Sequence, residues 1–173
     1  MAKHFRSKSK MNAHDTTHDL TNQAKVYAAR MRLQNTIDQA DALDAIREIA
    51  GNLIGTEQVA VFKVDKRRSE LWLYWSFGID PNKHVLLDVR QEPQLHPVLK
   101  GKPVFREHPG KNLLSTDEPV NAIVPILVDG AVAAVVVLFR LVTHKPALEP
   151  VDRQICEVLS NCAARAVSPH CAK

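Results

Sequence analysis

Residues 120–141 read VNAIVPILVDGAVAAVVVLFRL, and this stretch decides the fold. Asp129-Gly130 separates two runs rich in β-branched residues, and both turn residues accept the positive φ angles of a tight hairpin. The pattern therefore predicts strands over 120–128 and 131–141. The second strand is apolar almost throughout, which is typical of a central strand covered on both faces. Pro125 has no amide hydrogen, so we expect a bulge or an unpaired position there.

The sequence on either side of this hairpin supplies the other elements. In chain order these are an N-terminal helix over 18–37, a helix capped by Asp41 and ended by a left-handed Gly55, strands Gln58–Lys63 and Leu71–Phe77, a short strand Val85–Val89, a short helix His96–Lys100, and a last helix Glu149–Val167. Helices at both ends of an antiparallel sheet indicate an α+β layered domain. We assign it to residues 38–168, with 1–17 a basic disordered tail and 169–173 a loose C-terminus.

The distribution of charge argues against a nucleic-acid partner. The 173 residues carry a formal net charge of +4, with 23 Lys and Arg against 19 Asp and Glu. Four of the cations, Lys3, Arg6, Lys8 and Lys10, lie in the first ten residues, so the remaining chain is formally neutral. A short polar tail has almost nothing to bury, and we interpret it as a solvated N-terminus rather than a binding arm.

The sequence lacks the signals that mark several classes of protein. There is no apolar run long enough for a membrane span and no apolar segment behind the N-terminal charges, so neither a membrane span nor a secretory signal is expected. The three cysteines, Cys156, Cys162 and Cys171, cluster at one end and do not form a disulfide framework. These features favour the cytoplasm. No motif of a hydrolase or a phosphate-binding loop is present, so we expect no enzyme, although a redox enzyme remains open.

Residues 78–118, which we call the variable segment, are where we expect specificity to lie. They contain eight glycines and prolines, and so long an irregular segment in a compact domain usually covers a site. His84, His96 and His108 fall there at spacings of 12, which leaves haem or iron ligation open without forming a metal motif. Arg106 has the chemistry to pair with a carboxylate or a phosphate.

The strand Leu71–Phe77 is dense in aromatic side chains. In a regular strand Trp75 and Phe77 share a face with Leu71 and Leu73, opposite Trp72 and Tyr74. One face must be core, and the other is available for a ligand or a protein partner. In the last helix, spacing places Cys162 on the apolar face and Cys156 off it, where a partner helix would lie.

The order of these elements resembles the GAF domain family. Four stretches carry the resemblance: residues 42–55 with Val59–Phe62 and Asp65, His96–Val104, Ala122–Ile126 with Asp129-Gly130 and Val135–Leu138, and Leu148–Asp152. It implies a sheet of about six antiparallel strands, with the terminal helices on one face and a small-molecule pocket under the variable loops on the other. It also implies dimerisation through the terminal helices and places Asn121 on a strand that borders the pocket.

Departures from the family pattern reduce the number of ligands that fit. Cyclic-nucleotide-binding members carry Asn-Lys, Phe and Asp-Glu before the last helix, and in residues 143–153 only Asp152 fits well. Residues 78–118 hold no cysteine, which disfavours bilins and the methionine-sulfoxide reductases of this fold. The sequence therefore leaves the cofactor, like the ligand, unknown. The candidate ligand-binding residues are Trp75, Phe77, His96, Arg106 and Asn121.

Three functions remain open from the sequence. The first is a stand-alone sensory or regulatory domain, a homodimer that binds a small ligand and signals through a partner protein. The second is a ligand-free adaptor that docks through its aromatic strand or a helix face. The weakest is a redox, haem or iron sensor.

Overall fold

The computed structural model describes residues 13–108 and 111–168. The helices are α1 (Ala13–Gln34), α2 (Gln39–Glu48) continued by a π-helical segment (Ile49–Ile54), α3 (Leu95–Leu99) and α4 (Pro150–Cys162), with 3-10 turns at Pro81–Lys83 and Ala164–Ala166. The strands are β1 (Val59–Asp65), β2 (Glu70–Phe77), β3 (Leu86–Asp88), β4 (Val104–Phe105), β5 (Ala122–Val128) and β6 (Ala131–Leu138). None of the helices in these residues has the length and apolar character needed to cross a bilayer.

The strands form one sheet of six antiparallel strands in the order β3-β2-β1-β6-β5-β4. The predicted β5–β6 hairpin is confirmed, because Asp129 and Gly130 both have positive φ angles, 51° and 77°. β6 lies in the interior of the sheet, as its apolar sequence predicts. Pro125 remains opposite Val135, and the register shifts further on, where Ile126 pairs with Ala134 and Leu127 pairs with Val132. The extra residue there is Ala133 of β6, so the bulge lies in the partner strand and the expectation that the strand of Pro125 would bulge or leave Pro125 unpaired is wrong.

The helices α1, α2 and α4 cover one face of the sheet, as predicted. Ala29 and Leu33 of α1, Ile46 of α2, and Ile155 and Leu159 of α4 are buried in one cluster with inward residues of β1, β5 and β6. Burial of apolar surface at about 25 cal/mol per Å² makes this cluster the main stabilising layer. The opposite face packs against α3 and the variable segment in a second cluster that includes Phe62, Leu71, Leu95, Val98 and Phe139.

The ends of the helices differ from the sequence-based boundaries. α1 begins at Ala13 and ends at Gln34, rather than spanning 18–37, so Ala13–Thr17 is helical and not part of a disordered tail. The predicted tail at 1–12 and the predicted loose end at 169–173 lie outside the described residues. Gly55 adopts the predicted left-handed conformation, with a φ angle of 89°.

The cap of α2 is three residues earlier than predicted. Asp38, and not Asp41, is the N-cap, and its Oδ1 accepts a hydrogen bond of 2.8 Å from the Asp41 amide. Asp41 Oδ2 in turn accepts from the Ile37 amide at 2.9 Å. Each carboxylate thus accepts a hydrogen bond from one amide, Asp38 from the first turn of the helix and Asp41 from the residue that precedes the cap. In a helix without such caps, these amides would be left to water.

The prediction for one of the two α4 cysteines is wrong. Cys156, placed off the apolar face, is fully buried, whereas Cys162 is half-buried and packs against the cluster of α1, α2 and α4 as expected. The helix ends at Cys162, and its buried arc also includes Asp152, Val158 and Ser160, because α4 lies between α1 and the sheet. A single apolar stripe read from the sequence underestimates the buried arc of a helix that is covered from two sides.

A bulge in the middle of β2 changes the faces of its aromatic residues. Val61 pairs with Trp75, but the next residue, Phe62, pairs with Leu73, so Tyr74 has no partner in the ladder. An extra residue in one strand reverses the alternation beyond it. Leu71 and Leu73 therefore pack into the second cluster, on the loop side of the sheet, whereas Trp75 packs against the first cluster, on the helix side.

Candidate functional site

A cleft at the β4 edge of the sheet brings the variable segment to the last helix. We call it the β4-edge cleft; it measures about 520 Å³ and is lined mainly by residues 103–108 and 111–113, with Gln94 and Arg153. Arg153 lies in the first turn of α4, so the cleft has one wall on the variable segment and another on a terminal helix. Its volume lies in the range of small-ligand sites.

Arg106 is held rigidly at this cleft by backbone groups. Its amide donates to the Asn121 carbonyl at 2.9 Å, which continues the β4–β5 pairing past the end of β4. Its Nε donates to the carbonyls of His108 at 3.2 Å and Lys111 at 3.1 Å. The two terminal nitrogens of the guanidinium have no hydrogen-bond partner among the described residues, and their fork geometry suits an oxyanion.

Arg153 supplies a second guanidinium from the other wall. Its guanidinium carbon lies 4.8 Å from the ring centroid of Phe105, a cation–π contact between α4 and the β4 edge. Lys111 adds a third cation. Within the described residues none of these three makes an ion pair, and Glu107 is the acidic residue among those that line the cleft.

The loop behind the cleft is braced by Asn112, which the sequence analysis missed. Its Oδ1 accepts from the amides of Leu113 at 2.9 Å and Val120 at 2.7 Å, and its Nδ2 donates to the carbonyls of Thr116 and Glu118. One amide side chain thus fixes the path of the loop. The signal available in the sequence was an Asn in a loop, a residue type that hydrogen-bonds nearby backbone.

Asn121 has a structural role in the described residues. It is buried, and its Nδ2 donates to the Phe139 carbonyl at 2.7 Å, while its amide donates to the Leu138 carbonyl at 2.8 Å. Its side-chain donor is therefore used within the sheet. Its carbonyl positions Arg106, so Asn121 contributes to the cleft through its backbone.

The structure does not bring the other candidate residues to this cleft. Trp75 and Phe77 lie on β2, three strands away from β5, and Phe77 stacks with Arg47 at 5.2 Å. Because of the bulge at Tyr74, both lie on the helix side of the sheet and not under the variable loops. His96 is exposed on α3.

Side chains fill most of the loop-side face, where a pocket was expected. A smaller cavity of about 340 Å³ lies at the tip of the β1–β2 hairpin, lined by Val64, Lys66, Ser69, Val89, Leu99 and Val132 among others. His84 is buried in this layer, with its ring 5.3 Å from that of Phe139 and its Nε2 without a partner in the described residues. Burial lowers the pKa of His84, which keeps the imidazole neutral near pH 7.

The three histidines of the variable segment do not converge. His84 is buried against Phe139, whereas His96 and His108 are exposed. Across residues 13–108 and 111–168, no three His, Cys, Asp or Glu side chains are grouped closely enough to hold a metal ion.

Cys156 is predicted to resist alkylation in the native protein. Burial raises its pKa to about 12, so at pH 8 roughly one molecule in 10⁴ carries the thiolate that reacts. In a variant that combines Cys162→Ser and Cys171→Ser, iodoacetamide should leave the native protein unmodified by intact mass. The same variant unfolded in guanidinium serves as the control and should react fully. Rapid native labelling would contradict the buried assignment and revive redox chemistry.

A buried ion pair that the sequence analysis missed lies where α4 begins. Lys145 Nζ lies 2.6 Å from Asp152 Oδ2 and donates to the Ile54 carbonyl at 2.5 Å. Asp152 Oδ2 also accepts from the Glu149 amide at 2.6 Å. The pair connects α4 to the segment that follows α2. In the sequence of this region only Asp152 fits the family pattern, and its spacing of seven residues from Lys145 was the available signal for the pair.

Comparison with known proteins identifies the fold. No family model matches the sequence, and no curated protein matches it significantly. Among solved structures, the GAF domain/HD domain protein from Geobacter sulfurreducens is 21% identical, with a TM-score of 0.59 over 78% of this chain and 95% of that one. The GAF domain of a putative sensor histidine kinase from Pseudomonas syringae pv. tomato is 15% identical, with a TM-score of 0.57 over 90% of this chain and 91% of that one.

An enzyme shares the same architecture. The free methionine-R-sulfoxide reductase from Neisseria meningitidis is 16% identical, with a TM-score of 0.57 over 96% of this chain and 99% of that one. At these identities the likeness shows the fold. The chain therefore has the GAF-domain fold, and the predicted α+β class and resemblance are confirmed.

Proposed function

We propose that this chain is a sensory or regulatory domain that binds a small ligand in the β4-edge cleft. In the proposal it acts in the cytoplasm as a homodimer and passes the signal to a partner protein through its terminal helices. The observation that carries the proposal is the composition of the cleft, whose walls come from the variable segment and from α4. A ligand between the two walls changes how α4 is held.

Packing supports transmission from this cleft to the N-terminal helix. α4 packs along α1 and against β5, which pairs with β4. A change at Arg153 therefore reaches α1 through one helix–helix interface. The similarity in fold to a domain of a putative sensor histidine kinase is consistent with such a role.

One face of α1 supports a homodimer. Leu20 and Tyr27 are 62% and 65% exposed, although both are large apolar side chains. With Ala24 and Met31 they recur at spacings of 4, 3 and 4, the pattern of a coiled-coil seam. Covering these exposed apolar side chains would be favourable, so a second copy of α1 is the occupant that we propose.

Two measurements test this proposal. Native mass spectrometry of freshly purified protein should show a dimer. The double variant Leu20→Glu with Tyr27→Glu should be monomeric, whereas the exposed α1 substitution Gln23→Glu should leave the protein dimeric.

A thermal-shift panel of neutral, cationic and anionic metabolites should contain a compound that stabilises the wild type and not Arg106→Met. A monomer at every concentration, or no stabilising compound, would refute the corresponding part.

An adaptor function is the second candidate, favoured by the exposed edge of the sheet. Trp72, Tyr74 and Leu86 are each about 40% exposed, and Trp72 and Leu86 are register partners on one face. Aromatic residues are enriched at protein interfaces. If no metabolite stabilises the protein, and if the substitution Trp72→Ser abolishes binding to a partner protein, the adaptor function is favoured over ligand sensing.

A further inference from the structure

We propose that the ligand of the β4-edge cleft is a small dianion whose two acidic groups bridge Arg106 and Arg153. This inference rests on the function proposed above and names the class of its ligand. Three cations, Arg106, Lys111 and Arg153, line the cleft together with Glu107, which leaves an excess of two positive charges. A ligand with two negative charges balances that excess.

Arg106 provides the first anchor. Its Nε is occupied by the His108 and Lys111 carbonyls, so the guanidinium is oriented before any ligand arrives. Its terminal nitrogens present two parallel donors, and bidentate pairing of such a fork with a carboxylate or phosphate is among the strongest polar contacts in proteins. Little side-chain entropy is lost on binding, because the side chain is already fixed.

Arg153 provides the second anchor from the opposite wall. Its guanidinium lies against the Phe105 ring and pairs with no carboxylate in the described residues. Stacking on a ring leaves the edge of the guanidinium free to donate. Since Arg106 and Arg153 belong to different elements, one ligand reaches both best when it carries two separated acidic groups.

Gln94 adds a preference for a donor on the ligand. It lines the cleft, and its Oε1 is buried with no hydrogen-bond partner among the described residues. A buried acceptor without a partner costs free energy that a ligand hydroxyl or amine recovers. The expected ligand is therefore a dianion with a hydroxyl or amine, bound by Arg106, Arg153 and Gln94.

Binding such a dianion also changes the coupling of the two walls. Without a ligand, the excess cations of the variable segment and of α4 repel each other across the cleft. A bridging dianion replaces this repulsion with two charge-assisted contacts. The variable segment is thereby fastened to the first turn of α4, which is the step that the sensory role needs.

Isothermal titration at constant ionic strength tests the inference. The probes are malate (a hydroxy dicarboxylate), succinate (the dicarboxylate without the hydroxyl), lactate (a hydroxy monoacid), inorganic phosphate and glycerol. Malate should bind at least tenfold more tightly than lactate or phosphate, glycerol should not bind, and succinate should bind more weakly than malate. Malate and succinate binding no tighter than lactate would overturn the inference.

Variants show whether the binding occurs at this cleft. Arg106→Met and Arg153→Met should each weaken malate binding at least tenfold, and Gln94→Leu should remove the advantage of malate over succinate. Arg68→Met, which removes an exposed cation at the β1–β2 hairpin tip, should bind like the wild type. Arg153→Glu is the backup if Arg106→Met unfolds, since Arg153 fixes no backbone group in the described residues. Unchanged binding in Arg153→Met and Arg153→Glu would overturn the inference.

The outcomes separate this inference from the proposed function. A neutral compound that stabilises the wild type but not Arg106→Met, with no dianion binding, leaves the sensory cleft standing and refutes the dianion. Failure of every compound in the wild type refutes both.

Discussion

Lys145→Met should lower the free energy of unfolding by about 3–5 kcal/mol, the usual cost of removing one partner from a buried ion pair. The substitution leaves the fully buried Asp152 carboxylate with the Glu149 amide as its remaining partner in the described residues. It also removes the donor to the Ile54 carbonyl. The other carboxylate oxygen, Oδ1, already lacks a partner there, so nothing nearby compensates.

Urea unfolding followed by circular dichroism measures this effect. The matched control is Arg140→Met, which removes one partner of the exposed Arg140–Glu118 pair at 3.4 Å and should cost less than about 1 kcal/mol. Adding Asp152→Asn to Lys145→Met should recover part of the loss, because a neutral amide is cheaper to bury and still accepts from Glu149. A loss in Lys145→Met no larger than that of the control would contradict the assignment.

Gly78→Ala should be the second severe substitution, with a loss of about 2–5 kcal/mol. Gly78 has a φ angle of 75°, which costs an L-residue about 1–2 kcal/mol. A Cβ at this position would also lie only 2.1 Å from the Glu57 carbonyl oxygen. Because that oxygen belongs to the backbone just before β1, the chain must shift, at a further cost of about 1–3 kcal/mol.

Gly130 separates the two contributions. It has a nearly equal φ angle of 77°, but an added Cβ there meets nothing within 4 Å. Gly130→Ala should therefore lose only the conformational part, about 1–2 kcal/mol. Thermal unfolding of both variants checks the comparison. Equal losses would show that the close approach of Gly78 to Glu57 carries no cost.

Local chemistry made much of the fold predictable. Asp129-Gly130 specifies a turn type through the φ angles its residues accept, and the apolar run after it specifies an interior strand. Gly55 ends its helix for the same conformational reason. These features depend on neighbours in sequence, which is why the order of elements and the α+β class followed without a structure.

Features that depend on partners across the fold were less accessible. The bulge at Tyr74 results from pairing with β1, and no local pattern in β2 shows where the alternation breaks. Cys156 is buried because α4 has neighbours on two sides. Asp38 and Asp41 both flank the start of α2, and their distinct roles follow from backbone geometry.

The candidate site was predictable only in part. Arg106 was identified because an arginine in a loop-rich segment is suited to an acidic ligand. Arg153, 47 positions later in the sequence, joins it only because β4 lies beside the first turn of α4. Trp75 and Phe77 were placed on the wrong face since the strand was treated as regular.

The extra residue at Tyr74 determines which face of the sheet each side chain of β2 occupies. Upstream of it, odd-numbered side chains serve the loop-side layer, and downstream they serve the helix-side layer. Deleting a paired residue of β2 would move the side chains on one side of the deletion to the opposite face, whereas deleting Tyr74, which has no partner in the ladder, would restore a regular strand. Evolution can therefore change side chains along β2, but changes of length are confined to Tyr74 and to the ends of the strand, such as the exposed tip at 66–68. Relatives of this chain should vary in length at these positions and not elsewhere within the strand.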